Sequence, residues 1–278
     1  GIRFLVMKGG ALAHWLYAKP HLRLVTDLDI LLPDKAWIPE AAAALAGIGY
    51  VQVAGNPVAN ELSFHKPGGP YGRFIVDAHW RLFNRALLRD TFGFDELYGD
   101  AIDLPAMHGI KGLGPVHALF NACGHRALSL PHKQITGIQR ADCLRWLWDI
   151  HALALRFSAD DWRRMTRLAG EKRISAILQE ALETTGATFG TAIPDETMAQ
   201  LRRQMANELL SMRWFSTWSG YQWREFLASA PDMKGRLHWL KQMLLLESLS
   251  VRERYGPDDP SWKLTLKRLS VGLRRLFS

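Results

Sequence analysis

The rhythm of apolar positions changes along the chain. Up to about residue 105 they come in short runs broken by Gly, Pro and polar residues, as when strands alternate with short helices. Residues 2–7, "IRFLVM", predict a strand. "KGG" follows, then "ALAHWLYA", which has helical spacing and is closed at Pro20. "LRLVTDLDILL" predicts a second strand. Residues 36–47, "AWIPEAAAALAG", predict an Ala-rich helix entered through Pro39 and ended at Gly47. "YVQVA" predicts a short strand, residues 55–72 a loop with at most one strand, "ELSFH", and "RFIVDAHWRL" a further strand. This alternation points to an α+β (α/β) unit, a small mixed β-sheet with flanking helices.

Beyond residue 105 the spacing is helical almost throughout. "GPVHALFNACGHRAL" predicts a helix beginning after Pro115, and "ADCLRWLWDIHALALRF" one apolar enough to be buried. "DDWRRMTRLAGEK" has Ser158 or Asp160 as its candidate N-cap. "RISAILQEALETTG" ends at Gly186, and Pro194 opens a helix over about 195–212. "KGRLHWLKQMLLLES" and "PSWKLTLKRLSVGLRRLF" complete a mostly helical C-terminal region. There is no internal repeat.

Composition narrows the class. At 48% hydrophobic and 22% charged, the chain of 278 residues is that of a globular protein with a real core. The net charge of +8 predicts attraction to anions such as nucleotides, nucleic acid or an acidic membrane surface, without choosing among them. Cys123 and Cys143 form no metal-type spacing and no disulfide framework, which suits a reducing, cytoplasmic setting. No apolar run is long enough to predict a transmembrane helix.

The charged residues inside the apolar runs suggest chemistry. Asp27 and Asp29 sit one residue apart in "VTDLDILL". On a strand both would point to the same side, roughly 6.5–7 Å apart at Cα, and could share a hard divalent cation. The plainer alternative is a pair facing solvent at a strand end. In "MKGGALAHWLY" a strand runs through two glycines into a helix. Such a junction lets a phosphate approach the backbone at a helix N-terminus, and Lys8 adds a positive charge; an ordinary tight turn has the same residues. In "RFIVDAHWRL", Arg73, Ile75, Asp77 and His79 share one face, and Phe74, Val76, Ala78 and Trp80 the other. Asp77 is then a third strand carboxylate, unless it serves only to pair with Arg73 or Arg81. His79 by itself reads as a packed or hydrogen-bonded histidine.

In this order, the Gly-Gly helix start, the Asp-x-Asp strand and the later strand with one Asp resemble the nucleotidyltransferase superfamily that includes DNA polymerase beta. More narrowly, "LVMKGGALAHWLY", "LRLVTDLDILLPD", "VDAHWRL" and "LRWLWDIHAL" resemble a bacterial group of uncharacterised nucleotidyltransferases, over most of the chain. Lys8 departs from the broad superfamily, which has a hydrophobic residue there, but Lys-Gly is similar to the narrower group. The resemblance implies a nucleotidyltransferase catalytic core over residues 1–105 and a helical domain over 106–278. It implies Mg²⁺-dependent transfer of a nucleoside monophosphate from an NTP such as ATP to an acceptor hydroxyl or phosphate, by a two-metal mechanism in which Mn²⁺ could replace Mg²⁺. Asp27, Asp29 and Asp77 would be the catalytic metal ligands, and Lys8, Gly9, Gly10 and Arg23 the nucleotide-binding residues. The acceptor, whether a small molecule, a peptide or protein, or an RNA end, is named by no motif. A catalytically silent module binding a nucleotide, RNA or a partner protein is the alternative, which the intact aspartate trio disfavours.

The helical half carries weaker signals. Arg145 and Asp149, at i and i+4, predict an internal ion pair, with a cleft-facing Asp149 as the alternative. His125 and Arg126 could equally face a cleft or the surface. In the last predicted helix, Trp262, Leu266, Leu269, Leu273 and Leu276 form an apolar stripe, with Lys263, Lys267, Arg268, Arg274 and Arg275 on the other faces. Such a helix could lie on an anionic membrane or bind nucleic acid, though it fits a docked terminal helix better.

Overall fold

The computed structural model describes residues 1–53, 60–69, 72–84, 88–105, 107–135, 144–206 and 208, with side chains in the fourth helix described as far as residue 129. The expected helices beyond residue 208, including the basic terminal one, lie outside the described residues.

Seven strands form one mixed sheet: β1 (Leu5–Val6), β2 (Leu28–Leu31), β3 (Val51–Gln52), β4 (Glu61–Pro67), β5 (Arg73–His79), β6 (Ile102–Asp103) and β7 (Lys111–Gly112). Their order is β3-β4-β5-β2-β1-β7-β6. At its centre β2 and β5 run parallel with Asp29 opposite Asp77, while β1 lies antiparallel to β2 and parallel to β7. β4 pairs with β5 along its whole length, so "ELSFH" extends into a longer strand than expected. β6 and β7 were not expected; at two residues each they are too short for alternation to show.

Several strands are shorter than expected. The first keeps only Leu5–Val6 in the ladder, "YVQVA" only Val51–Gln52, and the last ends at His79. The second starts at Leu28: Leu22 belongs to the 3₁₀ turn Pro20–Leu22, and residues 23–27 lie outside the ladder. Asp27 therefore immediately precedes β2 rather than lying within a strand.

Helix α1 (Lys8–Trp15) begins directly after β1, so Gly9 and Gly10 lie in its first turn rather than in a loop before it. The other described helices are α2 (Ile38–Ala46), α3 (Phe94–Gly99), α4 (Pro115–Ile135), α5 (Leu144–Ala154), α6 (Ala159–Lys172), α7 (Ser175–Phe189) and α8 (Asp195–Met205). Ser158 is the N-cap of α6, in a capping box with Asp161. α7 passes through Gly186 and ends at Gly190, which takes the left-handed conformation that glycine accepts without strain.

The sheet separates two apolar regions. On one face α2 covers Phe64, Val76 and Ala78. The other face gives Leu5 and Leu31 to a larger core with Leu119, Phe120, Ile150, Ile177 and Leu201 from the helical half. Alternation along β5 places Asp77 and His79 opposite Val76 and Ala78, on the side of the sheet that meets the helices.

Candidate active site

The three aspartates converge. Asp27 just before β2, Asp29 on β2 and Asp77 on β5 each offer a carboxylate oxygen, and these oxygens lie within 4.8 Å of one another. Such a set of oxygen donors suits a hard divalent cation of the Mg²⁺ or Mn²⁺ kind. The parallel register of β2 and β5 makes this possible, since it sets Asp29 directly beside Asp77.

Asp29 is the deepest member, at 4% exposure. Its Oδ1 accepts from Lys8 Nζ at 2.6 Å and lies 2.8 Å from His79 Nε2. His79 Nδ1 in turn lies 2.8 Å from Asn84 Oδ1, and Asn84 Nδ2 donates to Glu61. Burial pushes the Asp29 carboxyl up, but Lys8 and the His79 hydrogen bond outweigh it and hold the group ionised, well below the usual carboxylate range. Burial likewise opposes the Lys8 charge, yet Asp29, with Glu61 and Asp27 nearby, keeps the ammonium above its ordinary value. Asp77 shifts the other way. Burial raises it, Ser63, which donates to Oδ1, opposes, and the negative charges of Asp29 and Glu61 raise it further. A cation between these carboxylates would relieve that repulsion, so the donor set fits a divalent metal.

The start of α1 adjoins this cluster. Its N-cap, Met7, supplies no side-chain acceptor, which suits the first-turn N–H groups to an anion. Lys8 takes a left-handed backbone conformation, φ 50°, unusual for a residue with a side chain. The two glycines differ in what they do. Gly9 lines the neighbouring cleft, and a Cβ there would come 3.0 Å from the Arg23 guanidinium. A Cβ at Gly10 would lie 2.8 Å from Leu28 Cδ1, so Gly10 lets α1 sit close on the sheet.

Arg23 is buried and clasps Asp149 of α5. Nε donates to Oδ1 at 2.8 Å and Nη2 to Oδ2 at 2.7 Å, while Tyr17 donates its hydroxyl to the same Oδ1 at 2.6 Å. The expected Arg145–Asp149 pair is therefore not formed: Asp149 turns toward the strand side of the molecule, and Arg145 Nε is buried without a partner among the described residues. A second arginine on the same side, Arg156, donates to the carbonyls of Trp15 and Leu16 at the end of α1.

Beside the aspartates lies a cleft of about 160 Å³. Its lining includes Lys8, Gly9, Asp27 and Asp29 and, from α4 and α5, Asn121, His125, Arg145 and Trp146. His125 thus faces the cleft, and burial, with Lys8 and Arg23 nearby, pushes it down to about 3, so it is neutral. Arg126, by contrast, is buried against Glu180 of α7 and serves the helix packing.

Ser63, Glu61 and Asn84, behind the aspartates, were not anticipated. Ser63 could have been found from the strand pattern, because it stands opposite Asp77 once β4 and β5 are paired. Tyr17 and Asn121 had no signal, since only tertiary packing brings them to the site.

A family model described as uncharacterised nucleotidyltransferase matches residues 1–190, from the first residue to the end of α7. No curated protein matches the chain.

Proposed function

The chain belongs to the uncharacterised nucleotidyltransferase family, and from that membership we propose that it transfers a nucleoside monophosphate from an NTP to an acceptor hydroxyl or phosphate. The observation that carries this is the meeting of three carboxylate oxygens within 4.8 Å beside a helix start that opens on a cleft. On this reading Asp27, Asp29 and Asp77 hold divalent cations, Mg²⁺ or Mn²⁺. Such cations, when bound, neutralise charge on the phosphates and on the attacking and leaving oxygens.

The protein's own groups do the rest. The first-turn N–H groups of α1, at the Gly9 end of the cleft, would hold the phosphates. Lys8, ion-paired with Asp29 at the first residue of α1, would offset charge on the phosphates as well. Arg23, clasped by Asp149, packs against Gly9 and keeps the helix start in place. His79 and Ser63 fix the rotamers of Asp29 and Asp77. In the transfer the acceptor oxygen bonds to the α-phosphorus, the bond from that phosphorus to the bridging oxygen breaks, and pyrophosphate leaves. Asp77, which shares the cluster with Asp27 and Asp29, would help to activate the acceptor hydroxyl, through the bound cation or as general base. The catalytic core is then the sheet with α1 and α2, which runs on through β7 past residue 105, and the helical region from α4 onward closes the cleft.

The test is incubation with each labelled NTP, Mg²⁺ or Mn²⁺, and candidate acceptors drawn from small molecules, peptides and RNA. Label transfer that vanishes in Asp27→Ala and Asp29→Ala is expected. Metal-dependent NTP binding without transfer to any acceptor would instead support a silent nucleotide-binding module. Absence of metal-dependent NTP binding would refute both.

A further inference from the structure

Buried polar atoms are nearly always paired, so those left over point to something. Among the described residues five buried side-chain polar atoms have no partner, and three of them, Trp15 Nε1, Asn121 Oδ1 and Arg145 Nε, belong to residues that line the one cleft beside the aspartates. Three helices supply them: α1, α4 and α5. Asn121 is 3% exposed, so its amide is not a surface group satisfied by bulk water. An unpaired amide in such a place is costly unless a ligand completes it.

We propose that the Trp15–Asn121–Arg145 wall recognises the base of the nucleotide, with Asn121 as the residue that discriminates among bases. The inference rests on the nucleotidyltransferase reading and adds to it which part of the substrate goes where. Lys8, Gly9, Asp27 and Asp29 are part of the cleft lining, so on this reading the phosphates lie by them and the nucleoside extends along the rest of the lining, which includes Trp15 two turns further along α1. That remainder combines apolar surface, from Leu12, Leu113 and Ala118, with unsatisfied hydrogen-bonding atoms. A nucleobase is the part of an NTP with this make-up, having apolar faces and a polar edge. Ribose has hydroxyls but no flat apolar face. Small rotations about the terminal side-chain torsions, which are soft, bring the unpaired atoms to the ligand.

The tally of unpaired atoms also bears on which base. Its buried unpaired atoms are one acceptor, on Asn121, and two donors, on Trp15 and Arg145. Adenine, cytosine and uracil each ask for one acceptor and supply one or two. The pairing edge of guanine has two donor groups and one acceptor, so one donor would be left without a partner. Counted on these unpaired atoms, GTP is the NTP the wall serves worst, because a buried polar group left unpaired on binding discriminates strongly.

Calorimetry of the full chain with Mn²⁺ tests this, using ATP, CTP, UTP, GTP and, as a probe without a base, inorganic tripolyphosphate. The best of the first three should bind the native protein about tenfold more tightly than GTP or tripolyphosphate, the worth of one well-made hydrogen bond. In Asn121→Leu, of similar size but with no hydrogen-bonding atom, that spread should collapse to within about threefold, with tripolyphosphate bound as before, which also shows that the variant is folded. Equal binding of NTPs and tripolyphosphate by the native protein overturns the proposal, as does a base preference that survives in Asn121→Leu. Either result leaves the transferase reading standing. Failure of every triphosphate, tripolyphosphate included, to bind in the presence of metal overturns that reading as well.

Discussion

Replacing Asp149 by Ala should destabilise the fold far more than a surface ion pair would. Asp149 is 4% exposed and Arg23 9%, so both charges are out of water. With the carboxylate gone, the buried guanidinium loses the counter-charge that Asp149 supplies, which costs about 3–5 kcal/mol. Tyr17 loses its acceptor too, and this contribution overlaps with the first, so about 4 kcal/mol is expected in all. For a chain of this size each kcal/mol lowers Tm by roughly 2–4 °C, giving a drop of about 8–16 °C. Urea unfolding at pH 7 and calorimetry would both register it. The double variant Arg23→Met/Asp149→Leu removes both charges and keeps apolar volume, so it should recover most of the loss, with a coupling energy above about 2 kcal/mol. A single-variant cost under about 1 kcal/mol, or a double-variant cost equal to the sum of the singles, would refute the view that this pair is one buried unit.

Gly10→Ala should cost about 1–3 kcal/mol by urea unfolding, because the new Cβ meets Leu28 Cδ1 at 2.8 Å, and it should weaken metal binding by shifting the residue between Asp27 and Asp29. Ser158→Ala should lower stability by about 1 kcal/mol through loss of the α6 capping box, leaving NTP binding unchanged. His125, ordinarily near 6.5, is held at about 3 in the fold, so below pH 6.5 the unfolded chain gains a proton that the folded one refuses. Stability should therefore fall on acidification across that window, by as much as about 2 kcal/mol between pH 7 and pH 5. Urea unfolding of His125→Gln should lack this part of the pH dependence, and an unchanged pH profile would contradict it.

The parts of the site that were legible in the sequence are those set by local periodicity. Asp77 and His79 fall on one face of β5 because a strand has period two, and the Gly-Gly start of α1 is visible as a change from strand to helix spacing. Asp27 was misplaced into a strand because Leu22, Leu24, Val25, Leu28 and Ile30 keep an apolar rhythm across "LRLVTDLDILL", and the turn at Pro20–Leu22 does not show in hydrophobicity. The Arg145–Asp149 pair was expected from helical spacing, but tertiary contact with Arg23 and Tyr17, far away in the chain, wins the carboxylate. Asn121 and Trp15 were illegible for the same reason: on its own helix each looks like ordinary packing, and only α1, α4 and α5 together form a wall. β6 and β7 were missed because two residues carry no alternation.

The parallel pairing of β2 with β5 has a consequence for how the protein is made. Asp29 and Asp77 stand side by side only when these strands are joined in that register. While the growing chain has emerged only as far as β2, the third carboxylate does not yet exist. A pairing that slips by one residue would send Asp77 to the opposite face. The acidic centre therefore comes into being in one step, when β5 joins β2 in the middle of the sheet. With the aspartates holding a cation as proposed, cation affinity measured during refolding serves as a clock for that event.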